Sequence, residues 1–309
     1  MKKAIITGAG GFIGGALTRL LLDKGITVYG VDVSEKQLER FKSNENFIPV
    51  IADFSKYDQL HEMITDKDAD VFYHFAWQSF VGEALKDYRL QLNNAIYAAD
   101  AVTEAIKIGC KKFVFAGTSN EIEITDFIDL KGIGFRYTCI YSAAKAAAEI
   151  VGKTLTHNDG ISYSSGLIAM PYGENNFANN LPNIVMTQLI NGESPRLIKG
   201  DIPYDLIYVN DIAEAFYAIG EKGVHLKSYY VGHRKLKTFR ELLTEIGQTV
   251  NPDVELRFGE FPDDSNRDYS RIDLDALYND TGFECAADFK ESIMKTAEWL
   301  RSQISQEGK

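Results

Sequence analysis

The sequence predicts a doubly wound α/β fold, in which helices cover both faces of a parallel sheet. Two observations favour this fold: short β-branched runs alternate with amphipathic helical stretches over residues 1–168, and a glycine-rich turn follows the first run. Beyond residue 168 the alternation loosens. We therefore predict a main domain at residues 1–168, rejoined by about residues 204–222, and a smaller C-terminal α/β substrate-binding lobe at residues 169–309.

The predicted elements alternate as a parallel sheet with crossover helices requires. Strands are predicted at Lys3–Gly8, Thr27–Asp32, Phe47–Ile51, Val71–Phe75, Phe113–Ala116 and Ser162–Ile168. Helices are predicted at about Phe12–Lys24, Glu35–Phe41, Tyr57–Ile64, Asn93–Ile108 and Tyr141–Thr156. A strand at Leu206–Val209 and a helix at Asp211–Glu221 are expected to return to the main domain, with a strand at Tyr229–Gly232 near the junction.

Composition excludes several classes of function. The chain of 309 residues carries a formal net charge of −11, so it has no excess of cations for nucleic acid or an anionic membrane surface, although it can still bind an anionic small molecule. Three scattered cysteines and five histidines without ligand spacing argue against a disulfide framework and a metal site. We expect a cytoplasmic enzyme or binding protein without a membrane span.

The first predicted strand ends in a turn that suits a phosphate group. Gly8, Gly11 and Gly14 allow a tight turn, a close approach of backbone amides to a pyrophosphate, and close packing of the following helix. The N-terminus of that helix then faces the anion. In this strand-turn-helix context the glycines predict a dinucleotide site of the Rossmann type, and a turn without a ligand is the alternative.

Asp32 ends the second predicted strand, about 20 residues beyond the glycines, where a carboxylate can accept hydrogen bonds from an adenosine ribose. It would repel a 2′-phosphate, so NAD is favoured over NADP, although Lys36 lies nearby. The alternative, which can hold at the same time, is that Asp32 caps the helix that starts near Ser34.

Tyr141 and Lys145 lie four residues apart at the start of an Ala-rich helix, which places both side chains on one face. An ammonium group near a phenol favours phenolate and lowers the phenol pKa, which suits acid/base catalysis. Thr118 follows the fifth strand at the carboxyl edge of the sheet, where ligands bind in such folds. It either hydrogen-bonds a reacting alcohol or carbonyl, or satisfies backbone groups of its own loop.

These residues, in this order and spacing, together with Asp53 and the strand end His74-Phe75-Ala76, resemble the extended short-chain dehydrogenase/reductase family. More narrowly, the chain is similar to the NAD-dependent epimerase/dehydratase group that acts on nucleotide sugars. The resemblance covers nearly the whole chain and is strongest over the first ~150 residues. It implies a nucleotide-sugar substrate and a homodimer formed through the helices predicted at Asn93–Ile108 and Tyr141–Thr156.

The resemblance also implies residue roles. Tyr141 would be the catalytic acid/base, Lys145 its partner and a ribose ligand, and Thr118 the hydroxyl that shares the substrate's proton. The implied NAD-binding residues are Gly8, Gly11, Phe12, Ile13, Gly14, Asp32, Asp53, Phe54, Phe75, Ala76, Asn94, Tyr141, Lys145 and Pro171. In the smaller lobe, Asn180 and Arg267 would contact the nucleotide diphosphate, and a solvated surface role is an equal alternative for Arg267.

Three positions depart from the family pattern. Tyr204 replaces an Arg and Met170 an Asn, which puts a common UDP-hexose substrate in question. Glu121 comes one position later than the Glu of the family's dehydratases, so 4,6-dehydration is disfavoured. An NAD-dependent epimerase is therefore the first hypothesis, a ketoreductase of 4-keto nucleotide sugars the second, and a catalytically idle NAD-binding sensor the third.

Overall fold

A seven-stranded parallel sheet forms the centre of the molecule in a computed structural model that describes residues 1–79, 82–130, 138–262 and 268–307. The strands are β1 Lys3–Thr7, β2 Thr27–Asp32, β3 Phe47–Ile51, β4 Val71–His74, β5 Lys112–Thr118, β6 Ser162–Ile168, β7 Met170–Tyr172, β8 Arg196–Leu197, β9 Pro203–Tyr204, β10 Leu206–Tyr208, β11 Lys227–Val231, β12 Lys237–Thr238 and β13 Arg257–Phe258. The main sheet has the order β11-β6-β5-β4-β1-β2-β3. The predicted doubly wound α/β class is confirmed.

Helices connect the strands and cover both faces of the sheet. They are α1 Phe12–Asp23, α2 Glu35–Leu38, α3 Leu60–Met63, α4 Tyr88–Ile108, α5 Glu123–Ile128, α6 Thr138–Asp159, α7 Leu181–Ile190, α8 Val209–Lys222, α9 Phe239–Val250, α10 Ala276–Thr281 and α11 Phe289–Glu307. Of the helices in the described ranges, none combines the length and apolar character that crossing a bilayer requires.

Most predicted elements lie where their periodicity placed them. The strand predicted at Leu206–Val209 is present as β10; it pairs in parallel with β7 in a two-stranded sheet, and its Ile207 packs in the same apolar cluster as Leu17 and Phe216. The helix predicted to follow it, α8, packs in that cluster too, and β11 extends the main sheet by pairing with β6.

Three apolar clusters hold these layers together. On one face of the sheet α1 and α8 bury Leu17 and Phe216 completely. On the other face α4 and α6 pack through small side chains such as Ala101 and Ala144. The third cluster joins α7, α9 and α11 around residues such as Leu243. Because full burial of a Leu or Phe side chain contributes about 1.5–3 kcal/mol, these layers fix the strand ends that carry the site.

Candidate active site

The turn between β1 and α1 has the shape that a pyrophosphate requires. Gly8 has φ +70°, and an added Cβ would lie 3.0 Å from the backbone nitrogen of Ala76. Gly11 N–H donates to Gly8 O (3.0 Å), and a Cβ at Gly14 would overlap that same oxygen. Phe12 begins α1 immediately afterwards. Side chains at these glycines would close the turn, so this cradle fits a dinucleotide pyrophosphate.

Asp32 is held against this turn. Its Oδ2 accepts from Gly10 N–H (2.9 Å), and its Oδ1 accepts from Ser34 N–H (3.0 Å). Ser34, not Asp32, is the N-cap of α2, because its hydroxyl accepts from Gln37 N–H. The helix-cap alternative for Asp32 is therefore wrong. Each carboxylate oxygen keeps a further lone pair that can accept from a ribose hydroxyl.

Several residues that were predicted to contact the dinucleotide lie at the ends of β3 and β4. Asp53 is exposed after β3, and the half-buried Phe54 stacks on Tyr97 with ring centroids 4.9 Å apart. Phe75 N–H donates to Thr7 O (3.1 Å), which fixes the chain as it leaves β4. The half-buried Ile13 and Ala76 pack at the edges of the two cores on either side of the sheet. These positions converge on the carboxyl edge of the sheet.

Asn94 lies on α4 and is fully buried. Its Oδ1 accepts from Gln78 N–H and its Nδ2 donates to Gln78 O, both at 2.9 Å. The side chain thus anchors the loop that follows β4. A direct contact of Asn94 with NAD stays a prediction.

Thr118 and Tyr141 meet at the end of β5. Thr118 lies close enough to Tyr141 to influence its phenol, and Thr118 Oγ1 accepts from Asn120 N–H (3.3 Å). The loop role of Thr118 is therefore confirmed, and its hydrogen bond to a reacting alcohol or carbonyl stays a prediction. Burial and the Glu121 carboxyl raise the pKa of Tyr141, whereas Thr118 lowers it. Lys145 is not among the groups that set this pKa, so the expected lowering by its ammonium is not found.

Lys145 is buried below the tyrosine. Its Nζ donates to Ala116 O (2.8 Å) and lies 3.8 Å from the ring centroid of Trp77, whose edge meets Tyr141. Burial lowers the pKa of Lys145 to about 7, against the opposing charge of Glu121. A cation over an indole face is stabilised without full solvation, so Trp77 positions the ammonium.

The candidate residues beyond residue 168 contact other protein groups in this structure. Asn180 is the N-cap of α7: its Oδ1 accepts from Asn183 N–H and its Nδ2 donates to Pro171 O (3.1 Å). Arg267 lies outside the described residues. At two of the three departures from the family pattern, Met170 packs on the third apolar cluster and Tyr204 meets Phe239 edge to face.

Sequence reasoning missed several residues that build the site. Trp77 follows the predicted strand end His74-Phe75-Ala76 directly, but nothing local assigns it to Lys145. Arg40 donates to Gly10 O (2.9 Å) and Gly11 O (3.1 Å) and so stabilises the glycine turn, although it lies 30 residues further along the chain. Glu149 shares a face with Tyr141 and Lys145, and the repeated spacing of four was a signal that could have found it.

Comparison with known proteins gives a family match over most of the chain. The model of the NAD-dependent epimerase/dehydratase family matches residues 4–232. A trifunctional UDP-glucose 4,6-dehydratase/UDP-4-keto-6-deoxy-D-glucose 3,5-epimerase/UDP-4-keto-L-rhamnose-reductase of Arabidopsis thaliana is 25% identical over 96% of this chain and 47% of its own length. The chain thus spans about half of that relative.

Two further proteins match over nearly their full length. The UDP-glucose 4-epimerase of Mycolicibacterium smegmatis is 25% identical, with 97% of this chain and 99% of that protein covered. The solved structure of a UDP-glucose 4-epimerase from Thermotoga maritima, with UDP-glucose, has a TM-score of 0.80 at 20% identity and covers 98% of this chain and 99% of that one. The shared feature of these structures is the fold described above.

Proposed function

This chain belongs to the NAD-dependent epimerase/dehydratase family, and from that premise we propose that it epimerises a nucleotide-activated sugar by transient oxidation. It is an enzyme, and NAD is its cofactor. The single observation that carries the proposal is the grouping of Thr118, Tyr141 and the buried Lys145 at the end of β5. A protein that only bound a dinucleotide would not need this proton-transfer group.

The cradle at β1 and α1 would hold the cofactor. Gly8, Gly11 and Gly14 leave room for its pyrophosphate, and Asp32 offers lone pairs to its adenosine ribose. Bound there, NAD would supply hydride transfer from the sugar carbon and back to its other face. The chain itself supplies orientation and proton transfer.

Tyr141 Oη is the proton-transfer atom of this proposal. Its raised pKa keeps the phenol protonated, which suits donation to a keto oxygen as the sugar is restored. To take a proton from the sugar hydroxyl, the phenol needs nearby positive charge, and Lys145 is the cation that the chain places below it. Thr118 beside the phenol lowers its pKa and so favours phenolate.

The substrate class follows from the relatives and from the departures. Several matching relatives are named for UDP-sugars and two for dTDP-sugars, so a nucleoside diphosphate sugar is the proposed class. Met170 and Tyr204 replace polar family positions with groups that pack on apolar neighbours, which favours a sugar with fewer polar contacts, such as a deoxysugar. A reductase of 4-keto sugars is the second candidate, because the Arabidopsis relative also carries that activity in its name.

We also propose that the enzyme works as a cytoplasmic homodimer. Apolar side chains on the outer faces of α4 and α6 are exposed, among them Leu92, Ile96 and Ile150. Contiguous apolar surface of this kind is typical of protein interfaces. Three free cysteines fit a reducing compartment.

The test begins with the protein as purified. Its dinucleotide is released by denaturation and identified by mass, and the native sample is incubated with UDP-, GDP-, CDP- and dTDP-sugars without added cofactor. We expect released NAD and interconversion of one sugar class. Tyr141→Phe should lower kcat by about 10²–10⁴-fold, whereas Tyr88→Phe, at an exposed tyrosine of α4, should leave it unchanged.

Two results would overturn the epimerase. Oxidation of added NAD(P)H by a 4-keto sugar, without cofactor-free interconversion, would establish the reductase instead. Tight NAD binding with no turnover of any sugar would establish the sensor.

A further inference from the structure

A pair of buried carboxyl groups lies below the proposed proton-transfer cluster. Glu121 follows β5, and its Oε1 accepts from Thr118 N–H (2.7 Å) in a capping box. The same oxygen lies against Gly117, where an added Cβ would be 2.7 Å away. Glu149 lies on α6 one turn beyond Lys145, and its carboxyl is within hydrogen-bonding reach of Glu121. Two carboxylates cannot bond in this way unless one of them carries a proton.

The contacts of Glu149 show which partner is ionised. Its Oε1 accepts from Lys153 Nζ (2.6 Å) and from the Ser228 hydroxyl. Its Oε2 is buried, and no donor among the residues that the structure describes reaches it, unless Glu121 is protonated. Because an unsatisfied buried carboxylate oxygen is costly, a proton on Glu121 completes the network.

The surroundings favour the same assignment. Burial and the charge of Glu149 both raise the pKa of Glu121, against the Thr118 N–H and the Lys145 ammonium. On β6, Tyr163 faces both carboxyls, and no partner for its hydroxyl occurs in the described ranges. Both carboxyls line a cavity of about 370 Å³ whose other charged and titratable residues are Lys153, Lys227, Tyr230, Arg271 and Asp273.

We propose that Glu121 and Glu149 share one proton, held on Glu121, and that Glu121 is a positioning residue for Thr118, Tyr141 and Lys145. Neutral Glu121 still accepts from Thr118 N–H and so keeps Thr118 beside Tyr141. Ionised Glu121 would add a negative charge beside Tyr141 and disfavour phenolate. The catalytic part of this inference rests on the proposed function, but the shared proton does not.

The shared proton is tested by infrared spectroscopy of the full chain at pH 8, where solvent-exposed carboxyls are ionised. The difference spectrum of wild type minus Glu121→Gln should contain the carbonyl band of a protonated carboxylic acid. The matched control is Glu83→Gln, at an exposed carboxyl, which should give no such band. Absence of the band from the Glu121→Gln difference overturns the proposal, whether or not any sugar is turned over.

The positioning role is tested by the pH profile of kcat. Glu149→Gln removes the neighbouring anion, so Glu121 ionises and the rising limb should move to higher pH by about one unit or more. Glu121→Gln mimics the protonated carboxyl, so the rising limb of its kcat profile should stay at the wild-type pH even if kcat itself changes. The Glu121→Gln/Glu149→Gln double variant should show the same limb as Glu121→Gln. The positioning role of Glu121 is contradicted if the rising limb does not move in Glu149→Gln. It is also contradicted if the double variant shows the same shift as Glu149→Gln.

Discussion

Two signatures of this chain, the glycine turn after β1 and the segment Asp205–Asp211 around β10, act by different physics. The glycine turn after β1 works through its backbone: Gly8 has a positive φ, and Gly14 leaves space for the Gly8 carbonyl. The signature around β10 works through side chains that join distant segments. Asp205 accepts from the Tyr230 hydroxyl and from His233, and Asp211 accepts from two amides near residue 286.

The difference teaches that one segment can be built to admit a ligand while another only joins distant parts of the chain. The glycine turn leaves room for a ligand, whereas Asp205 is 3% exposed and its oxygens already have donors in the chain. We therefore expect changes at the first signature to affect cofactor binding, and changes at the second to affect stability.

The largest effect is expected at Asp205. Asp205→Ala leaves Tyr230 and His233 without their buried acceptor, so the free energy of unfolding should fall by about 3–5 kcal/mol. Chemical denaturation measures it. Asp275→Ala, at an exposed ion pair with Arg234, should cost far less, because solvent screens that pair. If the two variants lose the same free energy of unfolding, the structural role of Asp205 is contradicted.

Gly14→Ala should act mainly on the cofactor. The new methyl overlaps Gly8 O, and relief of that strain costs about 1–3 kcal/mol and closes the turn. We expect NAD affinity, measured by calorimetry on protein stripped of cofactor, to fall at least about tenfold. Gly11→Ala places its methyl 3.1 Å from the same oxygen and should be milder. Unchanged affinity in Gly14→Ala would contradict the cradle.

Asp32→Asn should weaken NAD binding and reduce the preference of the protein for NAD over NADP. The variant loses the carboxylate charge, and its amide meets the N–H of Gly10 or Ser34. Loss of a hydrogen bond to a charged group costs about 1.5–3 kcal/mol, which is roughly tenfold or more in NAD dissociation constant. Glu35→Gln, at an exposed carboxyl of α2, is the control. If the ratio of the NAD and NADP dissociation constants is the same in the variant as in wild type, the contact of Asp32 with the ribose is contradicted.

The smallest effect concerns pH. The hydrogen bond to Asp205 raises the pKa of His233, so the folded chain holds more protons than the unfolded chain just above pH 6.5. This stabilisation is present at lower pH and is lost as pH rises through the folded pKa. It should amount to less than about 1 kcal/mol, because the side chain is partly exposed. Thermal melts of wild type and His233→Gln from pH 5.5 to 8.5 should converge as pH rises, and parallel curves would contradict it.

The main sheet could be predicted because its information is local. The strands at Thr27–Asp32, Phe47–Ile51 and Ser162–Ile168 have the predicted bounds. The strand β10 was also predicted, but its pairing with β7 was not, because three buried residues do not reveal which strand they join.

The site could be predicted in part for the same reason. Tyr141 and Lys145 share a helical face, and Thr118 ends a parallel strand, so spacing alone brought them to one edge. The bond between Ser228 and Glu149 joins residues 79 positions apart, and Trp77 meets Lys145 from another loop. Contacts of this kind depend on tertiary packing, which no local pattern contains.

The central claim is that hydrogen leaves the sugar carbon and returns to it inside this site. The most direct measurement is interconversion of the nucleotide sugar in deuterium oxide without added cofactor, followed by mass and NMR analysis of the product. The account predicts an inverted product without deuterium at the inverted carbon. Deuterium at that carbon, or no inversion of any nucleotide sugar, would contradict it.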